Sequence, residues 1–305
     1  MENQIEVNYR KLVETAMLAG AILIQSGAET YRVEDTTQRI LKTSGFQTAE
    51  AFVLPTGITL TLSNESDCTY SITKRISPGA SNMNRVITVN SISRDFCSGN
   101  ISLDEANDKL KALYDKHIYS KVFKVIGCSL AGGGFSLMFG GNIYDFIAAV
   151  ICSVVVGFAL YYLSRVMRKD IFINIFATAV LCIMASGISL LTSRYIPGIV
   201  LSPQFIIAGS IMSLVPGLSL TNAIRDVLHG DFVSACARFV SAITTSISIA
   251  VGAAAGLFIT NLIGLSNNEI GFILESGRTP LIELLVGLFG AYIGYRGIKR
   301  RLPPS

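Results

Sequence analysis

The sequence has no tryptophan and only two histidines, His117 and His229, in 305 residues. Without tryptophan, aromatic anchoring at a membrane interface falls to tyrosine and phenylalanine. Neither histidine accompanies a serine or cysteine nucleophile motif, so Ser–His or Cys–His catalysis has no support. The six cysteines form no C-x-x-C, and no histidine stands at metal-ligand spacing from them. They read as reduced and structural, with no disulfide framework and no metal site. No G-x-x-x-x-G-K-[ST] phosphate loop occurs, so nucleotide-driven work by this chain alone is not expected, and neither is a cofactor. Charge is scarce, at 15% of residues. No strongly basic stretch points to nucleic acid.

Apolar sequence is what is abundant. The hydrophobic fraction is 50% and the mean hydropathy is +0.52, too high for a soluble protein of this size. The charge divides unevenly: residues 1–120 carry a net −2 and residues 121–305 a net +6. The first part has a soluble composition and the second a membrane composition. The expected fold is therefore an α+β cytoplasmic domain over 1–120, followed by an all-α polytopic membrane bundle over 121–305. The apolar run Ala16–Ile24 is no signal peptide, because Glu2, Glu6 and Glu14 spoil the basic leader and Leu12, Ala16, Ala19 and Leu23 mark a helical stripe.

Within 1–120, helices are predicted over about Tyr9–Ser26 and Thr30–Ser44, ended by Gly27 and Gly45. Period-two alternation then marks strands at Thr48–Leu54, Gly57–Ser63 and Cys68–Ile76, joined as an antiparallel meander by Pro55-Thr56-Gly57 and Ser63–Asp67. Two more helices follow, Asn82–Cys97 and one from Ser102 to about Lys116. Glu29, Arg32 and Glu34 cluster at the first helix–helix turn. With Thr56 they form a candidate polar site, or simply helix-end ion pairs.

A membrane span takes about 20 apolar residues. Six candidates cover about 122–140, 145–164, 171–192, 203–221, 232–262 and 279–297. If they alternate, Lys121, Lys124, Arg165, Arg168, Lys169, Arg225, Arg238, Arg296, Lys299, Arg300 and Arg301 share one side. Only Arg194 and Arg278 face the other. The positive-inside rule places the basic side, both termini and the α+β domain in the cytoplasm of an inner-membrane protein. Gly132-Gly133-Gly134, Gly140-Gly141, Gly252-x-x-x-Gly256 and Gly290-x-x-x-Gly294 permit close helix approach, within the bundle or between copies. Ionisable groups avoid the span centres. Polar contacts there fall to Asn174, Ser210, Ser213, Thr244 and Thr245, unless these bond their own helices.

The fourth span is interrupted by Pro216-Gly217. Proline has no N–H, so the carbonyl of Met212 loses its helical partner, and in lipid such a break needs protein, water or ligand to satisfy it. After it, Asn222, Arg225, Asp226 and His229 share one helix face, with Arg238 beyond. A broken helix opening onto a charged face is a plausible piece of a transport pathway, and an ordinary proline kink with a solvated loop accounts for the same residues.

Here the sequence resembles a known family. SLVPGLSLTNAIRDVLHGDFVSACAR (Ser213–Arg238), GAETYRVEDT (Gly27–Thr36) and FVLPTGITLTL (Phe52–Leu62) resemble the threonine/serine exporters, in the same order from about Leu12 to Gly256. The resemblance implies proton-driven export of threonine, serine or small dicarboxylates such as succinate. It also implies a first-half subunit that needs a separate membrane subunit or forms a homo-oligomer. Pro216, Gly217, Asn222, Arg225, Asp226, Arg238 and Asn174 are then the candidate substrate pathway, with Arg225 and Arg238 orienting a carboxylate. The competing expectation is a membrane-anchored α+β domain with a hydrolase or ligand-sensing role.

Overall fold

The computed structural model describes residues 2–265 apart from 64–68, 78, 80, 116–120, 168 and 197. The N-terminal elements wrap around one helix. In α1 (Glu2–Gln25), Leu12, Val13, Ala16, Met17, Ala19, Ile22 and Leu23 are all buried. From residue 12 onward the helix is therefore apolar on nearly every side, and other elements cover each of those sides. They are α2 (Thr30–Lys42), a sheet of β1 (Thr48–Leu54), β2 (Gly57–Ser63) and β3 (Thr69–Arg75), then α3 (Met83–Cys97) and α4 (Leu103–Asp115). Gly20 is where β2 and α2 close on α1: a Cβ there would lie 2.7 Å from Ile58 Cδ1.

The sheet is antiparallel in the order β1-β2-β3, with Val53 opposite Ile58 and Thr59 opposite Thr73. Strand alternation sends Ile58, Leu60 and Leu62 into the core. The other face is a ladder of hydroxyl pairs: Thr59–Thr73 at 3.1 Å, Thr61–Ser71 at 3.2 Å and Ser63–Thr69 at 2.9 Å.

The apolar half comprises α5 (Lys121–Met138), α6 (Ile143–Val166), α7 (Asp170–Tyr195), α8 (Pro203–Met212), α9 (Gly217–His229) and α10 (Phe232–Leu262). Glycines set the crossings, as small residues do where there is no hydrophobic drive between helices in lipid. Gly209 of α8 lies against the backbone of Gly132 and Ser136, while Gly252 and Gly256 of α10 lie against the Ile175 and Ala179 carbonyls of α7. Gly157 meets Val125, and Gly133 meets Val150 and Phe146. These contacts make α5 antiparallel to α6 and α8, and α7 parallel to α10. The starts of α5, α7 and α10 and the end of α6 thus share one end of the bundle, which carries Lys124, Arg165, Lys169 and Arg238. At the opposite end Asp145 closes a capping box with Asn142 and accepts from Ser202 N at 2.8 Å.

The expected architecture, an α+β cytoplasmic domain followed by an all-α bundle of about six membrane helices, is corrected in two respects. First, ten helices dominate the described residues and the sheet is a minor element. The N-terminal elements are no separate domain, because α9 and α10 grip the turn between α1 and α2. That turn carries two peptide carbonyls, an uncapped helix start and a glutamate, and buried polar groups of this kind require partners. Second, three described helices are long and apolar enough to cross a membrane: α6, α7 and α10. The pair α8 and α9, bent by 51°, is long and apolar enough for a fourth when taken together as one broken span, and a re-entrant loop has the same shape. The apolar stretch of α5, Val122–Met138, is shorter, because the helix ends before Gly140, which takes φ +103°. The sixth candidate at 279–297 lies outside the described residues, as do Arg278, Gly290-x-x-x-Gly294, Arg296–Arg301, Cys68 and Arg168.

Candidate functional site

Proline decides the local geometry. Helix α8 stops at Met212, Leu214 N turns back to Ile211 O at 2.8 Å, and α9 restarts after Pro216 on a new axis. Gly217 has open space around its α-carbon, so the bend itself is uncrowded. The new axis carries the polar face of α9 to the α1–α2 turn. Asn222 Nδ2 donates to the Gly27 carbonyl at 2.8 Å. Arg225 Nη1 pairs with Glu29 Oε1, and Arg32 Nη1 holds the same carboxylate through Oε2 at 3.2 Å. Asp226 Oδ1 accepts from Thr30 N, and its Oδ2 from the Thr30 hydroxyl, each at 3.2 Å.

Arg238 completes the junction from α10. Its Nη2 donates to the Ala28 carbonyl at 2.8 Å. Its Nε lies 2.9 Å from Asp226 Oδ2. That N–H is buried and not aimed at the oxygen, so the contact is an ion pair without a hydrogen bond. Tyr31 stacks on His229 at 3.9 Å between ring centroids. Two carboxylates, Glu29 and Asp226, are thus nearly withdrawn from solvent among three guanidiniums. Burial on this scale is tolerated only because each carboxylate is ion-paired.

The two clusters expected from sequence are therefore one site. It unites Glu29 and Arg32 with Asn222, Arg225, Asp226 and Arg238. Glu34 stands at its margin, where its Oε1 accepts from Val53 N at 3.0 Å. Thr56 does not join: it is an exposed turn residue whose carbonyl accepts from Ile76 N at 2.9 Å. Asn174 belongs to α7, where its carbonyl accepts the Thr178 hydroxyl. Ser213, Thr244 and Thr245 bond carbonyls of their own segments, while Ser210 crosses to Ala149 O at 3.3 Å. Sequence reasoning passed over Thr30, Tyr31 and the carbonyls of Gly27 and Ala28. A signal was present: α2 begins after a glutamate that forms no side-chain cap, so its first N–H had to be satisfied from elsewhere.

Titration follows the same crowding. Burial raises Glu34 above the usual carboxylate range, the Asp231 and Asp226 charges add to this, and the Val53 N–H opposes it. Burial, then Asp226, raises Asp231. Burial, then Glu29, raises the Tyr31 phenol. A raised folded pKa favours the neutral acid, so the stability from Glu34 is present at low pH and is lost as pH rises through that pKa. Glu34→Gln keeps an acceptor for Val53. It should match the parent in melting temperature near about pH 4 and exceed it near pH 7. A parent that melts higher at pH 7 would mean that ionised Glu34 holds the cluster together.

Comparison with known proteins now bears on this site. The family model described as "Putative threonine/serine exporter" matches residues 14–260, running through both the N-terminal elements and the helices in one stretch. The chain belongs to the threonine/serine exporter family. Its match leaves no separate cytoplasmic domain to set apart, in keeping with the ionic junction. A "Probable threonine/serine exporter" of Mycobacterium tuberculosis is 20% identical over 94% of this chain and 54% of its own length. The chain thus spans about half of that relative. A "Probable succinate transporter subunit YjjP" of Escherichia coli is 24% identical over 84% of this chain and 97% of its own length. The protein of that name in Klebsiella aerogenes is also 24% identical, over 80% of this chain. No solved structure matches. As a member of this exporter family with several membrane-length helices, the chain is a membrane protein.

Proposed function

We propose that the chain is a subunit of a secondary exporter of small polar metabolites, threonine and serine or small dicarboxylates such as succinate, driven by the proton gradient. One observation carries this reading: a membrane-length helix pair bends at Pro216 and delivers Asn222, Arg225 and Asp226 to a buried ionic cluster at the basic end of the bundle. The loop cations support a cytoplasmic position for that end in the inner membrane. Arg225 and Arg238 then orient a substrate carboxylate, and Asp226 pairs with the amine or with one of those arginines. The subunit name of the Escherichia coli relative, and the greater length of the Mycobacterium tuberculosis one, support a separate membrane partner or a homo-oligomer.

The test is efflux from cells loaded with radiolabelled threonine, serine or succinate, with and without the chain. At least one solute should leave faster when the chain is present, and a protonophore should slow it. Identical efflux of all three would overturn the reading. Arg225→Ala should lower the initial rate about tenfold or more, since a hydrogen bond to a charged group contributes about 1.5–3 kcal/mol. Unchanged efflux would remove Arg225 from the mechanism.

A further inference from the structure

The start of α2 is filled in an unusual way. Its N-cap residue, Glu29, adopts extended backbone but offers no side-chain cap, because its carboxylate is turned to Arg225 and Arg32. The first amide of the helix, Thr30 N, is served instead by Asp226, 196 residues away in sequence. A helix N-terminus attracts anions through its free N–H groups and its dipole. Here the anion is a carboxylate of the protein itself.

That carboxylate fits imperfectly. Both bonds from Thr30 are 3.2 Å, the long limit for such contacts. Arg238 Nε reaches 2.9 Å but leaves its buried N–H without a hydrogen-bonded partner. Asp226 is tethered to α9 by its own backbone, and its Oδ2 is shared between the Thr30 hydroxyl and Arg238 Nε. A free carboxylate has no such tether and can align with both, as bidentate carboxylate–arginine pairs do. The approach is basic as well: the side chains of Arg225 and Arg32 remain 36% and 42% exposed while sharing Glu29.

We propose that the N-terminus of α2 and Arg238 form a carboxylate seat, which Asp226 occupies when the junction is closed and which the carboxylate of the exported solute takes over when it opens. This deepens the exporter reading and rests on it. Solute binding displaces Asp226, and so unlocks α9 from the α1–α2 turn. The ligand class is a small molecule bearing a carboxylate, which threonine, serine and succinate share.

The experiment vacates the seat and refills it. The full chain, purified in detergent, is melted as parent, Asp226→Ala and Asp226→Asn, in 100 mM sodium acetate or in sodium chloride at equal ionic strength. Acetate should raise the melting temperature of Asp226→Ala by about 2–4 °C over chloride. It should leave the parent unchanged, because the seat is already filled. Asp226→Asn, nearly isosteric with the parent, should show a smaller rise and serves if the alanine variant does not fold. Adding Arg238→Gln should abolish the gain. No acetate-specific rise in either variant, an equal rise in the parent, or a rise that survives Arg238→Gln would overturn the seat. Efflux by the parent, measured separately, tells the two failures apart. A chain that exports but ignores acetate loses the seat alone, and a chain that exports nothing loses the reading beneath it.

Discussion

Asp226→Ala is expected to lower the unfolding free energy by about 3–5 kcal/mol, the range for removing one partner of a buried ion pair. Asp226 has no measurable exposure and the Arg238 side chain is 13% exposed. Without the carboxylate, Arg238 keeps the Ala28 carbonyl as its hydrogen-bond acceptor, and Thr30 N at the head of α2 loses its acceptor. The cost is therefore an uncompensated buried charge together with an orphaned helix-end amide. Arg225→Ala should cost far less, about 1 kcal/mol or below, because Arg225 is 36% exposed, water screens it, and Arg32 still holds Glu29. The double replacement Asp226→Leu with Arg238→Met removes both charges and fills the space. It should return to within about 1–2 kcal/mol of the parent, since apolar substitutes for a buried pair are often neutral or better. Unfolding of the purified chain in mixed micelles, followed by far-UV circular dichroism, gives all three values, and Asp226→Leu and Arg238→Met measured singly close a double-mutant cycle. If Asp226→Ala costs no more than Arg225→Ala, the pair is not buried and the junction is a surface contact.

That cycle concerns the part of the molecule least legible in the sequence. Local signals were plain. Alternation of Ile58, Leu60 and Leu62 with threonines placed β2 at Gly57–Ser63, because a half-buried strand has only one pattern. Pro216 marked the break because no other residue removes an amide from a helix. The i, i+3, i+4 spacing of Asn222, Arg225 and Asp226 put them on one face for the same geometric reason that helices have faces at all. What that face meets could not be read. Glu29 and Arg225 are 196 residues apart, and an ion pair between distant segments leaves no periodic trace in either one. The two clusters consequently read as separate sites on separate domains, and the pairing of Arg225 with Glu29 goes unforeseen. The first helix is expected from about Tyr9, yet α1 runs from Glu2.

Gly209→Ala should cripple the helix pair that carries the junction. A Cβ at Gly209 would lie 2.5 Å from the Gly132 carbonyl oxygen and 2.5 Å from Ser136 N, both backbone atoms of α5. A side chain in the way could change rotamer, but a backbone cannot yield without moving its helix. Inserting one carbon into a packed core costs about 1–3 kcal/mol, and more where backbone must shift. Gly134→Ala and Gly187→Ala are the controls. Both face open space, so each should lie within about 1 kcal/mol of the parent, on the favourable side, because alanine is the better helix former. The damage should also travel. Pushing α8 away from α5 tilts α9 about the bend at Pro216, and the contacts of Asn222 and Asp226 with the α1–α2 turn depend on that tilt. Gly209→Ala should therefore lose efflux along with stability, while Gly134→Ala loses neither. If the two variants melt together and export alike, α5 and α8 do not approach backbone to backbone in the membrane. The bent pair would then be free to swing without the glycine contact that fixes its angle.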